Sequence, residues 1–173
     1  YSLLPFYGEW LPKLATPKAR VAAHKALSLD STLGEAYNSL AGIENWYDWN
    51  WPSAEQNCRR AIRLNPNYAT AHQWYGLFLG YRGRFAEAVT EIKRALELDP
   101  LSQIINTNYG DIFYWKRDYD EAIREYQKAL EPVLARVAES KKLGVILFRN
   151  PTQHYTDATL DVTGDVLREL AKS

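Results

Sequence analysis

The sequence predicts an all-α protein built as a right-handed solenoid of helical hairpins. Two observations lead to this prediction: small and helix-ending residues recur at one fixed spacing, and bulky apolar residues occupy the positions between them. The residues that recur every 34 positions are Ala61, Ala95 and Ala129, Gly76 and Gly110, and Pro66 and Pro100. Repeats of this length are stacked units that bury their apolar faces only against their neighbours.

Residues 1–34 are predicted to form a partial repeat. Ala19, Ala23 and Ala26 have the spacing of one helix face, which indicates the second helix of a hairpin. Prolines within the first 17 residues predict a broken helix before it. The chain starts at Tyr1 and holds no methionine, so we expect a fragment or a processed form.

Three full repeats are predicted at about 35–68, 69–102 and 103–130, with 1–130 as one solenoid. Small residues should let the two helices of a hairpin approach closely, and bulky residues should fill the gaps between hairpins. The small residues are Gly42, Gly76 and Gly110 on first helices and Ala54, Ala88 and Ala122 on second helices. The bulky residues are Tyr75, Leu79, Phe85, Ile92, Tyr109, Phe113, Tyr119 and Tyr126.

The composition argues against nucleic-acid and membrane partners. The 173 residues include 21 basic and 21 acidic side chains, so no charge excess favours nucleic acid or an anionic membrane surface. No apolar run approaches the length that spans a bilayer, so we expect no membrane insertion. The compartment stays open between the bacterial cytoplasm and periplasm, because a single cysteine carries no information about it.

No pattern predicts catalysis, a metal site or a cofactor. Cys58 occupies the inward slot that Ile92 fills in the next repeat, which favours a small buried hydrophobe over a reactive thiol. His72 is expected to be packed, and no two histidines have the spacing of metal ligands. The sequence lacks a glycine-rich phosphate loop, a nucleophile elbow and an HExxH motif. We therefore expect a protein that is not an enzyme.

A stack of hairpins offers a concave groove lined by the first helix of each pair. Counted from the glycine slot, the predicted groove residues are Ser39, Ile43, Trp46 and Tyr47, then Gln73, Leu77 and Tyr81, then Thr107, Asp111, Tyr114 and Trp115. Exposed Trp and Tyr favour a protein or peptide partner, because their rings offer a large contact area with few rotatable bonds. The alternative, in which several rings pack against a neighbouring helix, stays open.

This repeat pattern resembles the tetratricopeptide repeat over roughly three quarters of the chain. Tetratricopeptide modules that hold the acidic tails of chaperones use a clamp of Lys, Asn and Arg on their first helices. The corresponding residues here are Ser39, Ile43, Trp74, Ile104 and Asn108. None is a cation, so the resemblance does not extend to a chaperone-tail adaptor.

Residues 47–51, 65–75 and 99–107 resemble a narrower group, the tetratricopeptide regions of bacterial signalling proteins. Members of that group are winged-helix regulators, adenylate cyclase-like proteins and serine/threonine kinases. The resemblance implies an accessory protein-binding role, with the catalytic or DNA-binding domain elsewhere.

The pattern breaks after Leu130, and residues 131–173 are predicted to form a helix–strand–helix appendage. Its first helix is expected from about 132 to 142, with Val133, Leu134 and Val137 on one face. The run 144–149 is β-prone, and a last helix is expected from about Thr163.

These 43 residues resemble the C-terminus of the OmpH-like (Skp) periplasmic chaperones, in which a strand helps to close a trimer. A lone strand needs a partner, because its backbone donors and acceptors are otherwise unpaired. We therefore predict self-association through Val145, Ile146, Leu147 and Phe148. A hairpin with 153–156 would satisfy the strand without an oligomer.

Two functions are compatible with these patterns. The first is a non-enzymatic scaffold that holds a protein or peptide segment in the groove. The alternative is a chaperone-like or structural protein that self-assembles through the C-terminal strand.

Overall fold

The computed structural model describes residues 12–141, and every regular element within them is helical. The elements are α1 (Pro12–Leu29), α2 (Gly34–Ile43), a π-helical turn (Glu44–Asp48), α3 (Trp51–Leu64), α4 (Ala69–Tyr81), α5 (Phe85–Leu98), α6 (Gln103–Trp115) and α7 (Tyr119–Lys141). The all-α prediction is confirmed for this part. The predicted break in the N-terminal helix is wrong for residues 12–17, because α1 begins at Pro12 and continues through Pro17. The predicted strand at 144–149 and the helix near Thr163 lie outside the described residues.

Consecutive helices pair as hairpins, α2 with α3, α4 with α5, and α6 with α7. Neighbouring hairpins pack α3 on α4 and α5 on α6, and α1 packs on α2 as the second helix of a partial repeat would. The first helices also contact one another, α2 with α4 and α4 with α6. These three helices therefore form one continuous wall.

Helix α4 lies at the centre of the stack. Every residue from 71 to 80 is buried, because α2, α3, α5 and α6 all pack against this helix. Leu79 on α4, Ile92 on α5 and Ile112 on α6 are completely buried. Removing each of these side chains from water contributes about 1.5–3 kcal/mol to the free energy of folding.

Two glycines set the separation of helices within hairpins. A Cβ added to Gly76 would lie 2.6 Å from Ile92 Cγ1, and one added to Gly110 would lie 2.5 Å from Tyr126 Cε1. Both distances are shorter than carbon–carbon contact, so only a glycine fits without movement of the facing side chain. The predicted close approach is confirmed at these two positions.

Gly42 corrects the same prediction for the first repeat. A Cβ there would lie 2.7 Å from Trp74 on α4 and 2.9 Å from Trp46, so the glycine makes room for rings and not for the partner helix. Cys58 occupies the slot that Ile92 fills in the next repeat, and it borders the same small void as Gly42 and Trp74. Because a cysteine side chain is smaller, an indole ring takes the space.

The turn inside each hairpin uses one residue in the left-handed region. In the three successive turns the residues are Trp49 (φ 60°), Gly83 (φ 74°) and Arg117 (φ 66°), so this conformation recurs every 34 residues. Glycine adopts positive φ at no steric cost, whereas a side chain there costs about 1–2 kcal/mol. Two of the three turns are therefore strained.

Helix α7 passes without a break through the position where we expected the repeat to end. It covers Tyr119–Lys141 and contains Pro132, so the separate helix predicted from about 132 is a continuation of the third hairpin. Of the predicted apolar face, Val133 and Val137 are buried, whereas Leu134 is half-buried. Their burial offsets the backbone hydrogen bond that proline removes.

Tyr119 was wrongly predicted to fill the core, because its side chain is 52 % exposed. It is the first residue of α7, and its ring contacts Tyr114 edge-on at a centroid separation of 5.7 Å. A residue at the helix start lies beyond the facing turn of α6, so it packs against the end of that helix.

Gly76→Ala should lower the free energy of unfolding by about 1–3 kcal/mol, because the new methyl group overlaps Ile92. In the Ile92→Ala background the same change should cost much less, because the overlapping atoms are gone. Urea unfolding followed by circular dichroism measures all four members of this cycle. Additive effects of the two substitutions would contradict the proposed contact.

Arg117→Gly should raise the free energy of unfolding by about 0.5–1 kcal/mol, since relief of the positive φ exceeds the added entropy of the unfolded chain. The neighbouring Lys116 has a φ of −69°, so Lys116→Gly serves as the matched control and should destabilise the protein. Thermal unfolding of both variants tests the strain. A lower Tm for Arg117→Gly would refute it.

Candidate functional site

The predicted groove residues differ in exposure along the wall formed by α2, α4 and α6. The buried ones are Ile43, Gln73 and Leu77, the half-buried ones are Ser39, Trp46, Asp111 and Trp115, and the exposed ones are Tyr47, Tyr81, Thr107 and Tyr114. Contacts among α2, α4 and α6 therefore bury part of the predicted groove surface. The exposed rings lie at the C-terminal ends of these helices and of the π-helical turn.

These rings form a surface that we call the aromatic strip, which consists of Tyr47, Tyr81, Tyr114 and Trp115. Tyr47, Tyr81 and Trp115 occupy the same slot in successive repeats, so the spacing of the hairpins sets the spacing of the rings. The exposed fractions are 43 % for Tyr47, 54 % for Tyr81 and 56 % for Tyr114.

Ring-to-ring contacts link the helices that carry the aromatic strip. Tyr81 packs on Trp115 at a centroid separation of 4.5 Å, which links α4 to α6. Trp46 packs edge-on against Trp74 at 4.9 Å, which links the π-helical turn to α4. Both interpretations of the aromatic residues therefore apply: Trp46 and Trp115 pack between helices, whereas Tyr81 keeps a free face.

A chain of polar groups runs beside the strip and crosses three helices. Gln73 Nε2 on α4 donates to Asn108 Oδ1 on α6 at 2.7 Å. Asn108 Nδ2 donates to Asp111 Oδ2 at 3.0 Å, and the Tyr126 hydroxyl on α7 donates to Asp111 Oδ1 at 2.6 Å. This network fixes the Asp111 carboxylate, because each of its oxygens accepts one hydrogen bond.

The tyrosines near Asp111 stay protonated at neutral pH. Burial, and then the hydrogen bond to Asp111, raise the pKa of the Tyr126 hydroxyl. Burial, and then the negative charge of Asp111, raise the pKa of Tyr81. Both hydroxyl groups are therefore neutral beside the Asp111 carboxylate.

The sequence pattern assigned Tyr126 to the core and missed its hydroxyl group. The ring does fill the space opposite Gly110, while its oxygen reaches Asp111. The sequence did contain a signal for this hydrogen bond. Tyr126 stands where the other repeats carry Ile or Cys, so it brings a hydroxyl donor to a position that an apolar side chain can fill.

A second carboxylate–tyrosine group lies between α3, α4 and α5. Glu55 Oε1 accepts hydrogen bonds from Arg59 at 2.7 Å, from Arg84 at 2.7 Å and from the Tyr75 hydroxyl at 3.1 Å. Burial acts to raise the pKa of Glu55, but the hydrogen bonds from Arg84, Tyr75 and Arg59 outweigh it and hold that pKa below its usual value. Glu55 is therefore fully ionised and balanced by two guanidinium groups.

Residues 76–136 match the tetratricopeptide repeat family. A crystal structure of MamA is similar to this chain, with 28 % sequence identity and a TM-score of 0.57. The alignment covers 73 % of this chain and 70 % of that one. Another crystal structure of MamA protein has 26 % identity and a TM-score of 0.59, and its alignment covers 78 % of this chain and 70 % of that one. A structure described as MamA MSR-1 C2 covers 68 % of this chain and 67 % of its own at a TM-score of 0.54, and its 19 % identity shows the fold alone. No curated protein matches the chain significantly.

These similarities support a tetratricopeptide-repeat protein, and they point to a non-enzymatic scaffold for protein–protein interaction. The narrower resemblances to bacterial signalling proteins and to the Skp C-terminus stay predictions. Residues 145–148, through which we predicted self-association, lie outside the described residues.

Cys58 and His72 are both buried inside the helical array. The Cys58 thiol is buried, and burial together with the charges of Glu55, Glu44 and Glu91 raises its pKa to about 12. His72 Nδ1 lies 2.7 Å from Glu91 Oε2, and its Nε2 lies 3.1 Å from the Pro66 carbonyl oxygen, so both ring nitrogens are engaged. Both residues therefore belong to the packed interior of the helices.

Across residues 12–141, no three His, Cys, Asp or Glu side chains are grouped in a way that could hold a metal ion. None of the helices in this same range is both long enough and apolar enough to cross a membrane.

Cys58 should react with a thiol reagent at least about a hundredfold more slowly in the native protein than in urea at pH 8, because the thiolate is the reactive form. The folded pKa lies above the ordinary value of 9.0, so the free energy of unfolding should also fall as pH rises from about 9 to about 12. Absorbance of the released reagent measures the first effect, with Cys58→Ser as the blank. Equal native and unfolded rates would contradict the burial of the thiol.

Proposed function

We propose that this chain binds an extended segment of a partner protein along the aromatic strip. The observation that carries the proposal is that Tyr81 and Tyr114 keep more than half of their side chains exposed, 54 % and 56 %, although packed rings hold them in place. An ordered apolar surface of this kind has a low entropic cost of binding.

The position of the rings favours an elongated partner. Tyr47, Tyr81 and Trp115 repeat once per hairpin, so the strip continues across three repeats. An extended segment presents side chains at a regular spacing and can therefore contact successive hairpins. Tyrosine and tryptophan are also the residues that contribute most at protein interfaces.

The strip should fail to hold its partner when its central ring is removed. Peptides selected on the full chain from a random 12-residue library should bind Tyr81→Ala at least about tenfold more weakly, because a central aromatic side chain dominates such interfaces. Isothermal titration calorimetry of the selected peptides measures the loss. Circular dichroism and urea unfolding report whether the variant retains its fold.

Ile123→Ala is the matched control for this experiment. Ile123 is 54 % exposed, as Tyr81 is, but it lies on the second helix of its hairpin. Its removal should change the affinity by less than about twofold. If every selected peptide binds Tyr81→Ala as tightly as the unaltered chain, the aromatic strip is not the binding surface.

A further inference from the structure

We propose that the bound segment carries an arginine side chain, which the Asp111 carboxylate binds beside Tyr81 and Tyr114. This inference rests on the proposed function, because it names the partner chemistry of the same surface. Asp111 lies on α6, one helical turn before Tyr114 and Trp115, so its side chain is on the same face as the end of the strip.

The Asp111 carboxylate has hydrogen-bond donors but no ion-pair partner within residues 12–141. Its two oxygens accept from the neutral Tyr126 hydroxyl and from the neutral Asn108 amide. No lysine, arginine or histidine in that range forms an ion pair with it. A half-buried carboxylate in this state favours a cation from a partner, because each oxygen still has a free lone pair.

The Glu55 group of the same protein illustrates what such a carboxylate binds. Glu55 Oε1 also accepts a hydrogen bond from a tyrosine hydroxyl, that of Tyr75, and it binds the guanidinium groups of Arg59 and Arg84, each at 2.7 Å. Asp111 with Tyr126 repeats the carboxylate and the tyrosine but lacks the guanidinium. An arginine from the partner would complete the same arrangement.

The rings beside Asp111 favour arginine over lysine. A planar guanidinium can stack on an aromatic face while it donates two hydrogen bonds to a carboxylate, which an ammonium group cannot do. The protein already stacks guanidinium groups on rings elsewhere, with Arg82 4.1 Å from the centre of Trp51 and Arg60 4.3 Å from that of Tyr37. Tyr81 and Tyr114 offer exposed faces for a further contact of this kind.

The sign of this charge separates the partner from the acidic tails that other tetratricopeptide modules bind. An acidic segment on the strip would meet the negative charge of Asp111 and no cation among the clamp positions of residues 12–141. A basic segment would meet a fixed carboxylate. Binding of the basic segment should therefore weaken as salt is added.

The test uses the full chain and peptides selected from the random 12-residue library. The selected peptides should be enriched in arginine. In a selected peptide, replacement of the arginine by citrulline, which has nearly the same shape and no charge, should weaken binding about tenfold. Asp111→Asn should weaken binding of the arginine peptide by a similar factor and leave the affinity of the citrulline peptide within about twofold.

The controls separate this inference from the proposed function. Asp111→Asn keeps the size of the side chain and an oxygen that can accept from Tyr126, and urea unfolding checks its stability. Peptides that need Tyr81 but bind Asp111→Asn as tightly as the unaltered chain would overturn the arginine inference and leave the strip as the binding surface. Peptides that bind independently of Tyr81 would overturn both proposals.

Discussion

The close approach of two helices at Gly76 and Gly110 is the constraint on which the rest of the structure depends. Each glycine lets a large side chain of the second helix, Ile92 or Tyr126, press against the backbone of the first. The hairpins are then thin enough for α4 to contact α2 and α6 at once. That wall of first helices brings their C-terminal ends together, and with them the rings of the aromatic strip.

The 34-residue spacing predicted the helices, the hairpins and the ring-bearing slots, because these depend on which residue types recur. It failed where a slot is filled by a side chain of another size. Cys58 is too small to reach Gly42, so the ring of Trp74 contacts this glycine instead. The repeat pattern alone does not predict that exchange of contact partners. The burial of Leu77 was missed for a similar reason, since it depends on how closely neighbouring hairpins stack.

The candidate surface shows the same division between what recurs and what does not. Tyr81 and Trp115 could be placed from their slot alone, because the slot sets their side of the helix. The environment of Asp111 could not, because it depends on a hydroxyl group from α7 and on the lack of an ion pair to this carboxylate within residues 12–141. Repeats with the same backbone can therefore differ in the sign of the charge that they favour in a bound segment.

The burial of every residue from 71 to 80 also determines how the protein opens. In a long solenoid each repeat touches two neighbours and can fray from an end, but here one helix touches four others, so its backbone amides should exchange with solvent only when the whole array separates. Tyr81 is the last residue of that helix. A segment bound to its ring would therefore be coupled to the stability of all three hairpins, and the array would respond to its partner as a single cooperative unit.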